Sequence, residues 1–128
     1  MEETKKQLKL SFVVIDIETT GLSYKQNEIM EIGAIRYEHN EITDEFSKFI
    51  KPVEKVPLNI FKLTGIKEDD LKRADKAKTV LSELKDFLYD DDLIVCHNAE
   101  FDINFICRSQ FFFADYRSQR PRILYARI

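Results

Sequence analysis

Phe12-Val13-Val14-Ile15-Asp16-Ile17-Glu18-Thr19-Thr20-Gly21 is an apolar, β-branched run that closes on two carboxylates and a turn. Val13, Val14, Ile15 and Ile17 make a nearly continuous hydrophobic segment, the pattern of a central strand covered on both faces. Side chains alternate along a strand, so Asp16 and Glu18 emerge on the same face. Carboxylates this close, held near a low-dielectric core, repel each other and resist ionisation unless positive charge lies between them. A divalent metal ion meets that demand. Thr19, Thr20 and Gly21 end the strand, and Gly21 allows a turn that carries backbone N–H groups toward a ligand.

An edge strand whose acids point to water would account for an isolated Asp-x-Glu, but these flanks are too apolar for an edge. A strand-end Asp-x-Asp-x-Thr that supplies an aspartyl nucleophile for phosphate transfer is the other chemical reading. It requires aspartate at position 18, where this chain has Glu18.

With 128 residues, 44% of them hydrophobic and 34% charged, the chain is expected to form one soluble domain over residues 1–128. No stretch approaches the roughly 18 apolar residues of a membrane span. The charged start Met1-Glu2-Glu3-Thr4-Lys5-Lys6 does not resemble a signal peptide, so the expectation is a cytoplasmic protein with no membrane partner. Cys96 and Cys107 lack the pairing of a disulfide framework and read as free core thiols. The net charge of −3 is unevenly spread: five arginines against Asp115 give residues 108–128 a local +4, leaving −7 on residues 1–107. A basic end beside an acidic, metal-demanding centre suits a polyanionic substrate, although a solvated arginine face gives the same count.

Beyond the opening strand, residues 22–27 form a polar loop and Glu28 to Tyr37 a second strand. His39-Asn40 is a hairpin turn signal, and Glu41 to Ile50 a third strand of mixed, edge-like pattern. The acid-bearing strand is therefore innermost in a three-strand meander. An irregular stretch bracketed by Pro57 and Gly65 is expected to pack Leu58, Ile60, Phe61 and Leu63 onto the core, with a short helix ending near Leu71. Thr79 reads as the cap of an amphipathic helix bearing Val80, Leu81, Leu84, Phe87 and Leu88. Asp90-Asp91-Asp92 reads as a solvated turn. Leu93 to Cys96 is then a strand reached through a helix, and so parallel to an earlier one.

After that strand come His97-Asn98-Ala99-Glu100-Phe101-Asp102, with Asn98 as a helix N-cap. Asp102 shares a helical face with Phe105 and Ile106, three and four residues on. An acid in the first turn complements the helix dipole. An acid on the apolar face, near the tip of the neighbouring strand, is also where a third metal-facing carboxylate is wanted. His97 reads as a positioning residue rather than a base, and His39 as surface.

Taken together these residues resemble the DEDD-type 3′-5′ exonucleases, which include the epsilon subunit of bacterial DNA polymerase III and the exonuclease of PolC-type polymerases. Asp16-Ile17-Glu18-Thr19-Thr20-Gly21 looks like the first motif of that family, and His97 to Asp102 like the second. Leu63-Thr64-Gly65-Ile66 is similar to an intervening segment of the PolC-like branch. The resemblance covers roughly residues 10–107 and argues against the phosphatase reading, because nothing after Asp102 supplies that chemistry's later lysine and acid pair. It implies a ribonuclease H-like α/β fold, a mixed sheet flanked by helices. It also implies two Mg2+ or Mn2+ ions on Asp16, Glu18 and Asp102, which serve as the catalytic and metal-binding acids. Thr19, Thr20, Gly21, Leu22, His97, Asn98 and Phe101 would contact a single-stranded 3′ end, DNA rather than RNA, in proofreading or processing, with a DNA polymerase as a partner.

The chain departs from the family at a third motif, His-x-x-x-x-Asp or Tyr-x-x-x-Asp. No histidine follows His97, and Asp115 is the one acid beyond Asp102. Residues 123–127 are similar to the segment that leads toward that motif. The expectation is therefore a C-terminally incomplete fold with impaired activity on its own, or a non-catalytic nucleic-acid-binding or interaction module. Phe111-Phe112-Phe113 would then want cover, which self-association could supply.

Overall fold

A computed structural model describes residues 11–89, 92–108 and 123–125. Its sheet is organised by β1 (Ser11–Thr19), β2 (Ile29–Glu38) and β3 (Glu41–Lys51), an antiparallel meander. The β2–β3 hairpin turns on His39 and Asn40, both at positive φ (53° and 66°), the twist that two-residue hairpins require. The chain continues through α1 (Leu58–Thr64), α2 (Glu68–Lys72), β4 (Asp75–Lys76), α3 (Ala77–Phe87), β5 (Leu93–Cys96), α4 (Ala99–Arg108) and β6 (Ile123–Tyr125). The strand order is β4-β3-β2-β1-β5-β6, with β5 parallel to β1 and β6 parallel to β5, as a crossover through α3 requires. The acid-bearing strand is thus inside a mixed sheet, as its apolar flanks demanded.

One face of the sheet holds Val13, Ile15, Ile17, Ile32, Ala34, Ile94 and Cys96, packed with Val80, Leu81 and Leu84 of α3 and Ile103 and Ile106 of α4. Burying an aliphatic side chain this fully is worth about 1.5–3 kcal/mol, so α3 and α4 are held mainly by these contacts. A smaller cluster joins Met30 to Val56, Ile66 and Leu71. The opposite side of β1 carries Phe12, Val14, Asp16 and Glu18, of which none is fully buried. Phe12 stacks on Tyr37 across the ladder at 5.1 Å.

Four local expectations are corrected. The stretch around Phe61 is helical, and its Leu58 and Leu63 are 72% and 81% exposed, leaving Ile60 and Phe61 to pack against the smaller cluster. The long helix begins at Ala77, so Thr79 lies inside it, and Lys76 occupies the cap position without a side-chain bond. Asp92 is buried rather than solvated, in a bidentate pair with Arg36 of β2. The same guanidinium donates to Phe87 O at 2.7 Å and lies over the rings of Phe87 and Tyr89, tying the end of α3 and the start of β5 to the meander. Gly21 has no positive φ; a Cβ there would come within 2.5 Å of Asn27 Oδ1, so the glycine makes room for the Asn27 amide, which a larger residue would displace. Asp90, Asp91, the basic end beyond Arg108 and Phe111 to Phe113 lie outside the described residues, as does the side chain of Cys107.

Candidate functional site

Asp16 and Glu18 leave β1 on its less covered face, as their spacing dictated. Cross-strand register adds an acid that sequence reasoning missed: Glu31 of β2 pairs with Glu18, while Gly33 pairs with Asp16. Asp16, Ile17, Glu18, Glu31 and Gly33 line a cavity of about 210 Å³. The pairing is irregular between Glu18 and Thr19, and bulges of this kind recur beside active sites because they re-aim a side chain. Burial, and then the charge of Asp16, raises the Glu18 carboxyl above its ordinary range. Glu31 is raised by burial, then by Glu18 and Asp16. The signal that could have found Glu31 is the one that picked out Asp16, a carboxylate inside an apolar run. Its register with Glu18 depends on the 20–28 loop, whose path the sequence does not reveal.

That loop is closed by Thr20, whose N–H donates to Glu28 O and whose Oγ1 accepts from Glu28 N, both at 2.9 Å. Asn27 Oδ1 accepts from Ser23 N at 3.0 Å, and the Thr19 hydroxyl donates to Gly21 O at 2.6 Å. The two threonine hydroxyls therefore shape the turn. Leu22 is left at its tip, 87% exposed.

Asp102 reaches the site from the other direction. Cys96, the last residue of β5, pairs with Ile15, so the chain turns at His97 and Asn98 beside Asp16 before α4 begins. Asn98 O accepts from Asp102 N at 3.0 Å, and Asn98 Oδ1 makes a long 3.5 Å cap to Phe101 N. Asp102 is only 4% exposed, and its Oδ2 has no hydrogen-bond partner. Burial and then the charge of Asp16 push its carboxyl up to about 6, against opposing effects of His97 and the Cys96 thiol. The same surroundings push the buried Cys96 thiol up to about 12. His97 and Asn98 are exposed.

The donor chemistry suits a hard divalent cation: carboxylate oxygens, a buried oxygen without a partner, and no ion pair to Asp16, Glu18 or Asp102 among the described residues. Among those residues, no group of three or more His, Cys, Asp or Glu side chains is arranged to hold a metal ion. An adjoining pocket of about 240 Å³ is lined by Leu22, Tyr24, Asn98, Glu100, Phe101 and Asn104. Phe105 supports it, with its ring 4.8 Å from that of Phe101 and edge-on to Tyr24 at 6.5 Å. The structure thus brings Leu22, Asn98 and Phe101 around one pocket, whereas Thr19, Thr20, Gly21 and His97 are not in its lining.

A family model for exonucleases, RNase_T, matches residues 13–127. The PolC-type DNA polymerase III of Halalkalibacterium halodurans is 42% identical over 99 residues, 77% of this chain. That of Staphylococcus haemolyticus is 41% identical over 104 residues, 80% of this chain. The chain spans 7% of the length of each of these relatives. Among solved structures, product-bound exonuclease I superposes with a TM-score of 0.77 at 16% identity, covering 91% of this chain and 30% of that one. The E. coli exonuclease I–single-stranded DNA complex in its metal-free form gives 0.77 at 17% identity, covering 91% and 28%. A 3′-exonuclease that recognises the histone mRNA stem-loop gives 0.66 at 20% identity, covering 84% and 47%.

Proposed function

Since the chain belongs to the exonuclease family, we propose that it hydrolyses phosphodiester bonds at single-stranded 3′ ends, DNA in preference to RNA, with divalent metal ions held by Asp16, Glu18 and Asp102. The observation that carries this reading is the buried, unpartnered Asp102 oxygen delivered by α4 beside the two acids of β1. A DNA polymerase is the partner suggested by the PolC-type relatives, and exonuclease I bound to single-stranded DNA supports the substrate class.

When bound, the Mg2+ or Mn2+ ions supply charge neutralisation at the scissile phosphate and lower the pKa of an attacking water. The protein's part is orientation. Asp16 and Glu18 are fixed by the ladder to β2, and Asp102 by the packing of α4, so the three acids approach from two elements that share one core. The terminal nucleotide enters the pocket under Leu22, with the base or sugar against Phe101 and polar contacts from Asn98. Thr19, Thr20 and Gly21 hold the loop that presents Leu22. His97, exposed beside the Asp102 helix, positions the entering strand.

No histidine follows His97 in these 128 residues, and general-base help is worth about a hundredfold or more. Turnover by this chain alone is therefore slow. A single-stranded oligonucleotide labelled at its 5′ end should give a ladder of products shortened one nucleotide at a time from the 3′ end. Internal cuts, or release of a 5′-terminal nucleotide first, would refute the assigned polarity.

A further inference from the structure

Glu31 lies outside the stretches Asp16–Gly21, Leu63–Ile66 and His97–Asp102 that carry the resemblance, yet it stands on the same face of the sheet as Asp16 and Glu18 and opens into the same cavity. We propose that Glu31 is a further ligand of the divalent cation on this face, so that β2 contributes a donor beside those of β1 and α4. This rests on the reading of the site as a divalent-cation centre.

The backbone register makes the case. Glu18 and Glu31 are direct cross-strand partners, and like charges placed directly opposite each other destabilise a sheet. Gly33, the partner of Asp16, projects no side chain, and a Cβ built there would meet nothing closer than Asp16 O at 4.0 Å. The ladder therefore leaves an open position bounded by three carboxylates. The lining of that cavity contains no lysine, arginine or histidine, and none of the three acids forms an ion pair among the described residues. A surface patch usually offsets such repulsion with a cation from the chain itself; here the offset is left to a ligand. Independently, Asp102 brings an unpartnered buried oxygen from α4 within electrostatic reach of Asp16. The demand for a cation thus comes from the β1–β2 ladder and, separately, from α4. Mg2+ and Mn2+ take six oxygen donors, more than Asp16, Glu18 and Asp102 supply, and a cross-strand glutamate is a natural addition.

The test is Mn2+ titration of the chain by calorimetry, with no nucleotide present, for wild type, Glu31→Gln and Asp16→Asn. The measurement is repeated at about 1 M KCl, where the Debye length is about 3 Å and the loss of a remote charge is screened. Ligation by Glu31 predicts that Glu31→Gln weakens Mn2+ binding by about tenfold or more at both salt concentrations. A Glu31→Gln affinity within twofold of wild type at high salt overturns the proposal, while loss of binding in Asp16→Asn in that same experiment leaves the metal-centre reading standing. Wild type that binds no Mn2+ overturns both. A melting curve guards against misfolding: Glu31→Gln should melt no lower than wild type without metal, since it removes a repulsion, and should gain less from added Mn2+.

Discussion

Replacing Asp102 with asparagine should stabilise the metal-free protein at neutral pH, although Asp102 lies in the core of the site. Its carboxyl is 4% exposed, lacks a partner at Oδ2, and is pushed up to about 6 from an ordinary 3.8. A carboxyl raised in the folded state binds its proton more tightly there than in the unfolded chain. Its contribution is intact below pH 4 and is lost as pH rises through about 6. A shift of about two units at 1.36 kcal/mol each makes the ionised group a burden of roughly 3 kcal/mol, which asparagine does not carry. Urea denaturation of wild type and Asp102→Asn in chelator, at pH 4.5 and pH 7.5 (chosen to bracket the transition), reads the difference. The variant should gain about 1–3 kcal/mol on wild type between those pH values, and saturating Mn2+ should return the advantage to wild type, because a ligand that binds the native state stabilises it. A variant less stable than wild type at pH 7.5 without metal, or a difference that does not change with pH, would show that the Asp102 charge is well accommodated and that no cation is needed to offset it.

Protonation of the same group should compete with the metal: Mn2+ affinity is expected to fall as pH drops through about 6, and an affinity unchanged between about pH 7 and pH 5 would exclude Asp102 as an ionised ligand. Asp92→Ala should cost about 3–5 kcal/mol in urea denaturation, since it strands the buried Arg36 guanidinium, whose Nε already lacks a partner. Leu22→Ala removes an 87% exposed side chain and should leave stability within about 0.5 kcal/mol. It should nonetheless weaken binding of a single-stranded oligonucleotide at least about fivefold, read by fluorescence anisotropy, if the pocket under Leu22 holds the terminal nucleotide.

What could be read from the residues was local. Alternation in β1 placed Asp16 and Glu18 together, His39-Asn40 gave the hairpin, and the helical spacing of Val80, Leu84 and Leu88 gave the crossover that makes β5 parallel to β1. Asp102 announced itself as an acid on an apolar helical face and is indeed buried. What escaped depended on long-range register. Asp92 belongs to a charge run that normally meets water, and only Arg36, 56 residues earlier, makes its burial possible. Glu31 acquires its meaning from facing Glu18 across a loop of unpredictable path. Thr79 looks like a cap because its hydroxyl precedes an apolar stripe, yet the cap position of α3 falls three residues sooner, at Lys76, because β4 leads straight into the helix.

The most direct test of the account is the rate at which a 5′-labelled single-stranded DNA oligonucleotide is shortened in Mn2+ by wild type and by Asp16→Asn. Slow, chelator-sensitive loss of 3′-terminal nucleotides by wild type, abolished in Asp16→Asn, is the predicted result. Wild type that binds DNA and Mn2+ without shortening the strand, or shortening that survives Asp16→Asn, would contradict the assignment of hydrolysis to these acids.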